Sequence, residues 1–109
     1  MPRNLSPYTI CRTSLMRSIR QTAAFKRDFK RVSKGTARTA LKERFMTVVS
    51  TLAEDEALPL PYRDHALGGN WHGHRECHIT PDLILLYYTA EPDQLVLVRL
   101  GSHAEIFGF

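Results

Sequence analysis

Side chains able to exchange protons near neutral pH are concentrated in the second half of this 109-residue sequence. All five histidines lie between positions 65 and 103. Histidine serves as a general acid or base near neutral pH, and a well-placed acid or base accelerates a reaction roughly 10²–10⁴-fold. Arginine stays charged and can hold an anion through two hydrogen bonds. The residues singled out for such chemistry are His65, His78, Asp82, Arg99 and His103.

A strand pattern begins after the prolines of the segment ALPLPYRDH. Alternating polar and apolar residues predict a strand over 74–80, and a nearly continuous apolar run predicts a central strand over 83–89, covered on both faces. Pro81 and Asp82 signal a turn between these two strands, and the last strand is predicted over 94–101. Such short links favour antiparallel neighbours.

The predicted meander gathers the candidate side chains at one end of the sheet. His78 and Asp82 stand beside the first turn, and Arg99 and His103 stand at the end of the last strand, which returns to the same side. Gly101 is expected to let the chain turn sharply, so that His103 comes back beside Arg99. These polar groups over an apolar sheet predict a concave site. Each histidine taken singly is equally well explained as a solvated surface residue, but their number favours a site.

The segment from His72 to His78 raises the question of a metal site. Zinc sites usually draw spaced pairs of ligands from two segments. Cys77 and His78 are adjacent on a predicted strand and should face opposite ways, and no closed set of four ligands is visible. We therefore expect neither a metal nor another cofactor, and we expect Cys77 to be a small buried hydrophobic residue.

Two helices are predicted before the strands, over 24–33 and 37–53, with Thr36 as the N-cap of the second. A short edge strand is predicted over 17–22. Gly35 lies in the link between the helices, which is short enough to favour a hairpin. Apolar residues at helical spacing are Phe25, Phe29 and Val32 in the first helix, and Leu41, Phe45, Val48 and Leu52 in the second. The predicted fold is α+β: an N-terminal helical hairpin packed on a twisted antiparallel β-sheet.

Positive charge is concentrated in the first half of the chain. Residues 1–44 carry 12 of the 15 lysines and arginines but only two acids, for a net charge of +10, whereas residues 45–109 have a net charge of −6. Five cations on the first helix predict contacts with RNA phosphates, although a solvated helix face is the ordinary alternative. These cations are Lys26, Arg27, Lys30, Arg31 and Lys34.

Length and composition predict one domain over residues 16–109, preceded by a loose extension over 1–15. Met16 is expected to be the functional start. The sequence has no apolar stretch near the roughly 20 residues of a membrane span, which excludes an integral membrane protein with helical spans. Two cysteines and the lack of a secretory leader lead us to expect a cytoplasmic protein with free thiols.

Three segments together resemble the YafQ branch of the RelE-type toxins. They are FKRDFKR at 25–31, LPLPYRDHALGGNWHGHRECHITPDLILLY at 58–87, and VRLGSHAEIF at 98–107. The resemblance implies the toxin of a bacterial type II toxin–antitoxin module, which enters the ribosomal A site and cuts mRNA there without a metal. It also implies a RelE-like fold and three partners: ribosomal RNA, mRNA and a cognate antitoxin of DinJ or RelB type.

The resemblance assigns functional positions to residues of this chain. The family's histidines fall on His65, His78 and His103, its aspartate on Asp82 and its arginine on Arg99. Its terminal aromatic residue falls on Phe107, and Leu83 stands where the best-known member has tryptophan. We expect His65 and His78 to act as base or base support, His103 as acid and Arg99 as a clamp on the phosphorane. Asp82 is expected to act as a base or to orient a histidine.

Two other functions are compatible with parts of this sequence. A toxin of ParE type would share the fold but inhibit DNA gyrase, and it would not need a site rich in histidine. A non-catalytic RNA-binding module would use the basic helices alone. The histidine cluster favours the nuclease over both alternatives.

Overall fold

The structure, a computed structural model, describes residues 16–108. Strand β1 and two helices, α1 and α2, come first, and four strands and a short helix follow. Their bounds are Ser18–Gln21 for β1, Ala23–Val32 for α1, Arg38–Ala53 for α2, His65–Ala66 for β2, Arg75–Thr80 for β3, Leu83–Ala90 for β4, Gln94–Gly101 for β5 and His103–Phe107 for α3. The predicted α+β class and the order of the elements are confirmed. The predicted extension over 1–15, including Cys11, lies outside the described residues.

The five strands form one sheet in the order β1-β5-β4-β3-β2. Strands β2 to β5 form an antiparallel meander, as predicted, because the turns between them are short. The predicted edge strand is confirmed as β1, and it pairs in parallel with β5 from Ser18 to Gln21. The two helices between β1 and the rest of the sheet supply the long crossover that a parallel pairing needs.

The main core lies between the sheet and helices α1 and α2. Apolar residues at helical spacing on both helices meet alternate residues of the strands, including Leu85, Leu95 and Leu97. The helices also meet each other through aromatic rings, since the ring centroids of Phe29 and Phe45 are 5.1 Å apart. Cys77 is fully buried in this core, as predicted, and burial raises the pKa of its thiol.

A smaller apolar cluster covers the opposite face of the sheet. Ile84 and Leu86 of β4 point away from the main core and pack under Ile106 of α3. The central strand is therefore buried on both faces, which explains its unbroken apolar sequence. Trp71 packs against this cluster and is half-buried.

The start of α2 differs from the prediction. Ala37, not Thr36, is the N-cap, and it has no side chain that could cap the helix. The link between the helices forms a turn in which the Arg38 amide donates to the Gly35 carbonyl. Thr36 therefore precedes the N-cap position by one residue, and its hydroxyl does not cap the helix. No helix within residues 16–108 is long and apolar enough to cross a membrane.

Candidate active site

A row of paired residues places most of the predicted site on one face of the sheet. His65 of β2 pairs with Glu76 of β3, Glu76 pairs with Leu86 of β4, and Leu86 pairs with Arg99 of β5. Directly paired residues share a face, and Leu86 belongs to the smaller cluster under α3. The face opposite the helical hairpin therefore carries the site.

An irregularity in β5 puts Arg99 on this face. Tyr87 pairs with Leu97, but its neighbour Leu86 pairs with Arg99, so Val98 is an extra residue without a counterpart. Leu97 belongs to the main core. Strict alternation from Leu97 would therefore turn Arg99 toward the helices, and the bulge reverses this orientation.

Glu76 is the centre of the site, and its side chain is only 5% exposed. The Nε2 atoms of three histidines surround its carboxylate: His65 at 3.2 Å, His78 at 3.4 Å and His103 at 3.0 Å from Oε2. The three predicted histidines are thus brought together by a residue that the sequence analysis did not select. A signal for Glu76 was present, because alternation on the strand places it on the same face as His78.

Backbone carbonyls fix the proton positions of two of these rings. Nδ1 of His65 lies 2.6 Å from the carbonyl of Arg63, and Nδ1 of His78 lies 3.3 Å from that of Pro81. A carbonyl oxygen only accepts, so each Nδ1 is the donor. Each of these two rings thus turns its Nε2 edge toward Glu76, at 3.2 Å for His65 and 3.4 Å for His78.

His103 has a different position, since it is the first residue of α3. A capping box at Ser102 starts this helix: the Ser102 hydroxyl accepts from the Glu105 amide, and the Glu105 carboxylate accepts from the Ser102 amide. Ile106 anchors the helix in the smaller cluster. Nε2 of His103 meets Glu76, while its Nδ1 has no hydrogen-bond partner among residues 16–108. This ring thus keeps one nitrogen for a ligand.

Aromatic rings continue the site beyond His103. The ring of His103 lies 5.7 Å from that of Phe107, whose ring in turn lies 5.4 Å from that of Trp71. The prediction that Phe107 borders the site agrees with this placement.

Arg99 is held by a carboxylate of helix α1. Its Nε and Nη2 atoms donate to Asp28 at 2.6 and 3.3 Å. Burial alone would raise the pKa of Asp28, but hydrogen bonds from Arg99, the Leu100 amide and Arg31 outweigh it and hold the pKa below its usual value. Asp28 uses one edge of the guanidinium, so the Nη1 atom of Arg99 remains able to donate to an anion.

The loop before β2 is tied to the sheet at the residue next to His65. Asp64 accepts a hydrogen bond from the hydroxyl of Tyr87, and Arg75 donates to both of its carboxylate oxygens at 3.3 Å. Burial, followed by this hydrogen bond to Asp64, raises the pKa of Tyr87. The loop therefore has little freedom to move His65 away from Glu76.

Two predicted site residues lie apart from the cluster. Asp82 is exposed in the turn between β3 and β4, and its carboxylate has no hydrogen-bond or ion-pair partner within the described chain. Leu83 is buried in the main core, on the helix side of the sheet. The structure thus does not bring Leu83 together with the histidines, because the turn starts β4 with a residue facing the helices.

The basic face of α1 is divided in two. Lys26, Arg27, Lys30 and Lys34 are exposed, as a phosphate-binding role requires. Arg31 instead turns toward the sheet, where it meets Asp28 and Glu105. Gly101 lies below it and does not have the left-handed backbone expected for a sharp turn. A Cβ atom there would lie 2.9 Å from Nη2 of Arg31 and 2.7 Å from Oε1 of Glu105, so a larger residue would displace the ends of these two side chains.

Three side chains of the site also have the donor set of a metal site. Ligand atoms of Glu76, His78 and His103 lie within 4.8 Å of one another. Because Nδ1 of His78 donates to a carbonyl, its Nε2 lone pair is available to a metal when the ring is neutral. The strands and α3 assemble this set from two segments, and the expectation that the protein uses no metal stays a prediction.

The family comparison and the sequence comparison both identify YafQ toxins as similar to this chain. The model of a family described as "Bacterial toxin of type II toxin-antitoxin system, YafQ" matches residues 17–108. An mRNA interferase toxin YafQ of Escherichia coli strain K12 is 45% identical over 60 residues, which cover 53% of this chain and 64% of the relative.

Solved structures agree with the fold in detail. The Escherichia coli DinJ–YafQ toxin–antitoxin complex contains a chain that is 32% identical with a TM-score of 0.73, over 85% of this chain and 99% of that one. A metal-bound toxin from Helicobacter pylori is 38% identical with a TM-score of 0.71, over 84% of this chain and all of the other.

Proposed function

We propose that this chain, which belongs to the YafQ family of type II toxins, is an endoribonuclease that cleaves mRNA on the ribosome and thereby inhibits translation. The observation that carries the proposal is the buried carboxylate of Glu76 with three imidazoles around it, two strands away from Arg99. Neighbouring strands are about 4.8 Å apart, and two such spacings separate Glu76 from Arg99. This distance is enough for a sugar–phosphate unit to fit between the two side chains. A toxin of ParE type does not require this arrangement.

RNA cleavage of this kind uses the 2′-hydroxyl as the nucleophile. A base removes its proton, the oxygen attacks the adjacent phosphorus, and the bond to the 5′ oxygen breaks. The products are a cyclic phosphate and a 5′-hydroxyl, which receives its proton from an acid. The bonds and protons of this reaction balance without a metal or a co-reactant.

His103 is assigned the role of acid. Nε2 of its ring is held 3.0 Å from Glu76, and Nδ1, which has no hydrogen-bond partner among residues 16–108, gives a proton to the departing 5′ oxygen. Arg99 uses its Nη1 side to hold the phosphate oxygens, whose charge increases in the transition state. Phe107 limits the position of the His103 ring and offers a surface for a base.

The base is assigned to His65 or Asp82, and His78 to a supporting role. His78 is buried with both ring nitrogens engaged, so it stabilises Glu76 and its neighbours without reaching RNA. His65 is half-exposed, so its Nε2 atom can leave Glu76 and contact the 2′-hydroxyl of RNA instead. Asp82 is exposed, and its carboxylate has no partner among residues 16–108. His65→Gln and Asp82→Asn separate these two assignments, because the variant that lacks the base loses more activity.

Two partners other than mRNA are included in the proposal. The exposed cations of α1 bind ribosomal RNA phosphates. The Escherichia coli relative forms a complex with DinJ, and an acidic antitoxin of the same kind complements the basic half of this chain. Both partners place the protein in the cytoplasm.

Cleavage of mRNA on programmed ribosomes by purified variants tests this function. His103→Gln and Arg99→Ala should each reduce cleavage by about 10²–10⁴-fold while ribosome binding remains. The matched control is His72→Ala, which removes an exposed histidine outside the cluster. Wild-type cleavage by His103→Gln and Arg99→Ala would contradict the proposal.

A chelator separates the acid–base mechanism from a metal-dependent one. Excess EDTA should leave cleavage unchanged, because every proton transfer above uses side chains alone. If EDTA abolished cleavage and a divalent ion restored it, Glu76, His78 and His103 would have to be reassigned as metal ligands.

A further inference from the structure

Helix α1 completes the edge of β5 where β1 ends. Strand β1 pairs with β5 only as far as Leu97. Beyond it, the amide of Leu100 donates to Oδ2 of Asp28 at 3.0 Å, and the carbonyl of Leu100 accepts from Nη2 of Arg31 at 3.1 Å. Two side chains of α1 therefore replace a missing strand beside the end of β5.

The same two side chains are bonded to the residues around Leu100. Asp28 holds Arg99 through two hydrogen bonds, and Nη1 of Arg31 lies 2.8 Å from Oδ1 of Asp28. Nη2 of Arg31 also lies 3.3 Å from Oε1 of Glu105, the oxygen that accepts from the Ser102 amide. A continuous network thus runs from α1 through the end of β5 to the first turn of α3.

We propose that Asp28 and Arg31 are positioning residues for RNA cleavage, which hold the guanidinium of Arg99 and the start of α3, with His103, in their working geometry. This inference rests on the function proposed above. Asp28 itself is 3% exposed and cannot reach RNA. Its influence on cleavage must therefore pass through the groups that it holds.

The chemistry gives a reason for such a network. Arginine has a long, flexible side chain, and a reacting group displaced by 1 Å can lose about 10²-fold in rate. Asp28 fixes the Nε edge of Arg99 and leaves Nη1 directed away from the pair. The side-chain ends of Arg31 and Glu105 lie over Gly101, between Arg99 and His103, at 2.9 and 2.7 Å from the position of a Cβ atom there. Both catalytic groups are thereby held before substrate arrives.

The test is a double-mutant cycle of Asp28→Asn with Arg99→Ala, measured as single-turnover cleavage on saturating programmed ribosomes. Asp28→Asn keeps the shape of the side chain but removes its charge. It should lower the cleavage rate by about 10–100-fold and change ribosome affinity by less than about twofold. In the Arg99→Ala background the same change should cause little further loss, because the group that Asp28 positions is gone.

A purely structural role for Asp28 predicts a different result. Asp28→Asn would then reduce cleavage by the same factor in both backgrounds, in parallel with loss of folded protein, and this outcome would overturn the inference. Asp55→Asn is the matched control, because it breaks an exposed pair with Arg17 at 3.1 Å, outside the network. This control should cleave at the wild-type rate.

Arg31→Met keeps the inference testable if Asp28→Asn does not fold. Arg31 is 45% exposed, so its loss is better tolerated than that of Asp28. Arg31→Met should lower the rate at saturating ribosomes and should be non-additive with His103→Gln, because Arg31 holds the start of α3 through Glu105. An effect on affinity alone would contradict positioning. If Arg99→Ala is impaired but Asp28→Asn and Arg31→Met cleave normally, only this inference fails, whereas full activity of Arg99→Ala refutes the proposed function itself.

Discussion

At the scale of single residues, the site depends on one carboxylate in an unusual environment. Glu76 is buried, and its neighbours are imidazoles rather than the guanidinium or ammonium groups that usually pair with a buried acid. Imidazole is the only one of these groups that loses its charge near neutral pH. The groups around Glu76 are therefore ones that can also serve as acid or base toward a substrate.

Glu76→Gln tests this interpretation. The amide keeps the size of the side chain but removes the carboxylate that the three imidazoles face, so cleavage should fall by about 10–10³-fold. The folded protein should remain at least as stable, because the substitution removes a buried charge that is costly to desolvate. Thermal unfolding and cleavage assays of the same preparation measure both effects. Glu43→Gln, on the exposed face of α2, is the control, and equal activity of the two variants would contradict a role for Glu76.

At the scale of elements, helix α1 has two functions on two faces. Its inner side packs Phe25 and Val32 into the main core and bonds Asp28 and Arg31 to β5. Its outer side, continued by Lys34 just after the helix, carries four exposed cations that form no ion pair within residues 16–108. Arg31, which the sequence grouped with those four, belongs to the inner side.

The outer face should control the salt dependence of ribosome binding. Lys26→Ala combined with Lys30→Ala should weaken binding and reduce the slope of log affinity against log salt by about 1.5, since each phosphate contact contributes roughly 0.7–0.9. Binding is measured by sedimentation with ribosomes over a range of salt concentrations. The rate at saturating ribosomes should not change. An unaltered slope would mean that this face is only solvated.

At the scale of the whole molecule, Asp28 joins three parts of the fold: the helical hairpin, the end of β5 and, through Arg31, the short helix α3. Removal of one partner from a fully buried ion pair costs about 3–5 kcal/mol. Both arginines around Asp28 remain partly exposed, so a smaller cost of about 2–3 kcal/mol is expected for Asp28→Asn.

The stability that Asp28 provides should disappear in acid. Its pKa is lower in the folded chain than in the unfolded chain, so its contribution is complete above the unfolded value of about 3.9 and is lost as the pH falls through the folded value. Urea unfolding of wild type and Asp28→Asn between pH 7 and pH 3 measures this contribution. The difference between the two proteins should narrow only below about pH 4. A difference that stayed constant down to pH 3 would assign the stability to packing instead.

Much of this protein was predictable from local patterns in its sequence. The 3.6-residue period of the phenylalanines and leucines predicts both helices, and the change to alternation after the two prolines predicts the meander, because both patterns reflect which side chains must leave water. The approach of His103 to His78 at one end of the sheet also follows from short antiparallel links, whereas His65 was assigned by the family resemblance. These features depend on residues that are close in sequence.

Tertiary structure decided the features that depend on distant residues. The bulge at Val98 turns Arg99 toward the site, and no local pattern reveals it, because it arises from the pairing of β4 with β5. In the sequence, Asp28 and Arg31 are two more charged residues on a basic helix. Packing brings them against Arg99 and Leu100, which are 71 and 69 residues later in the chain. A buried polar group without a partner costs free energy. For this reason buried Asp28 pairs with Arg99, and buried Glu76 has three imidazoles around it.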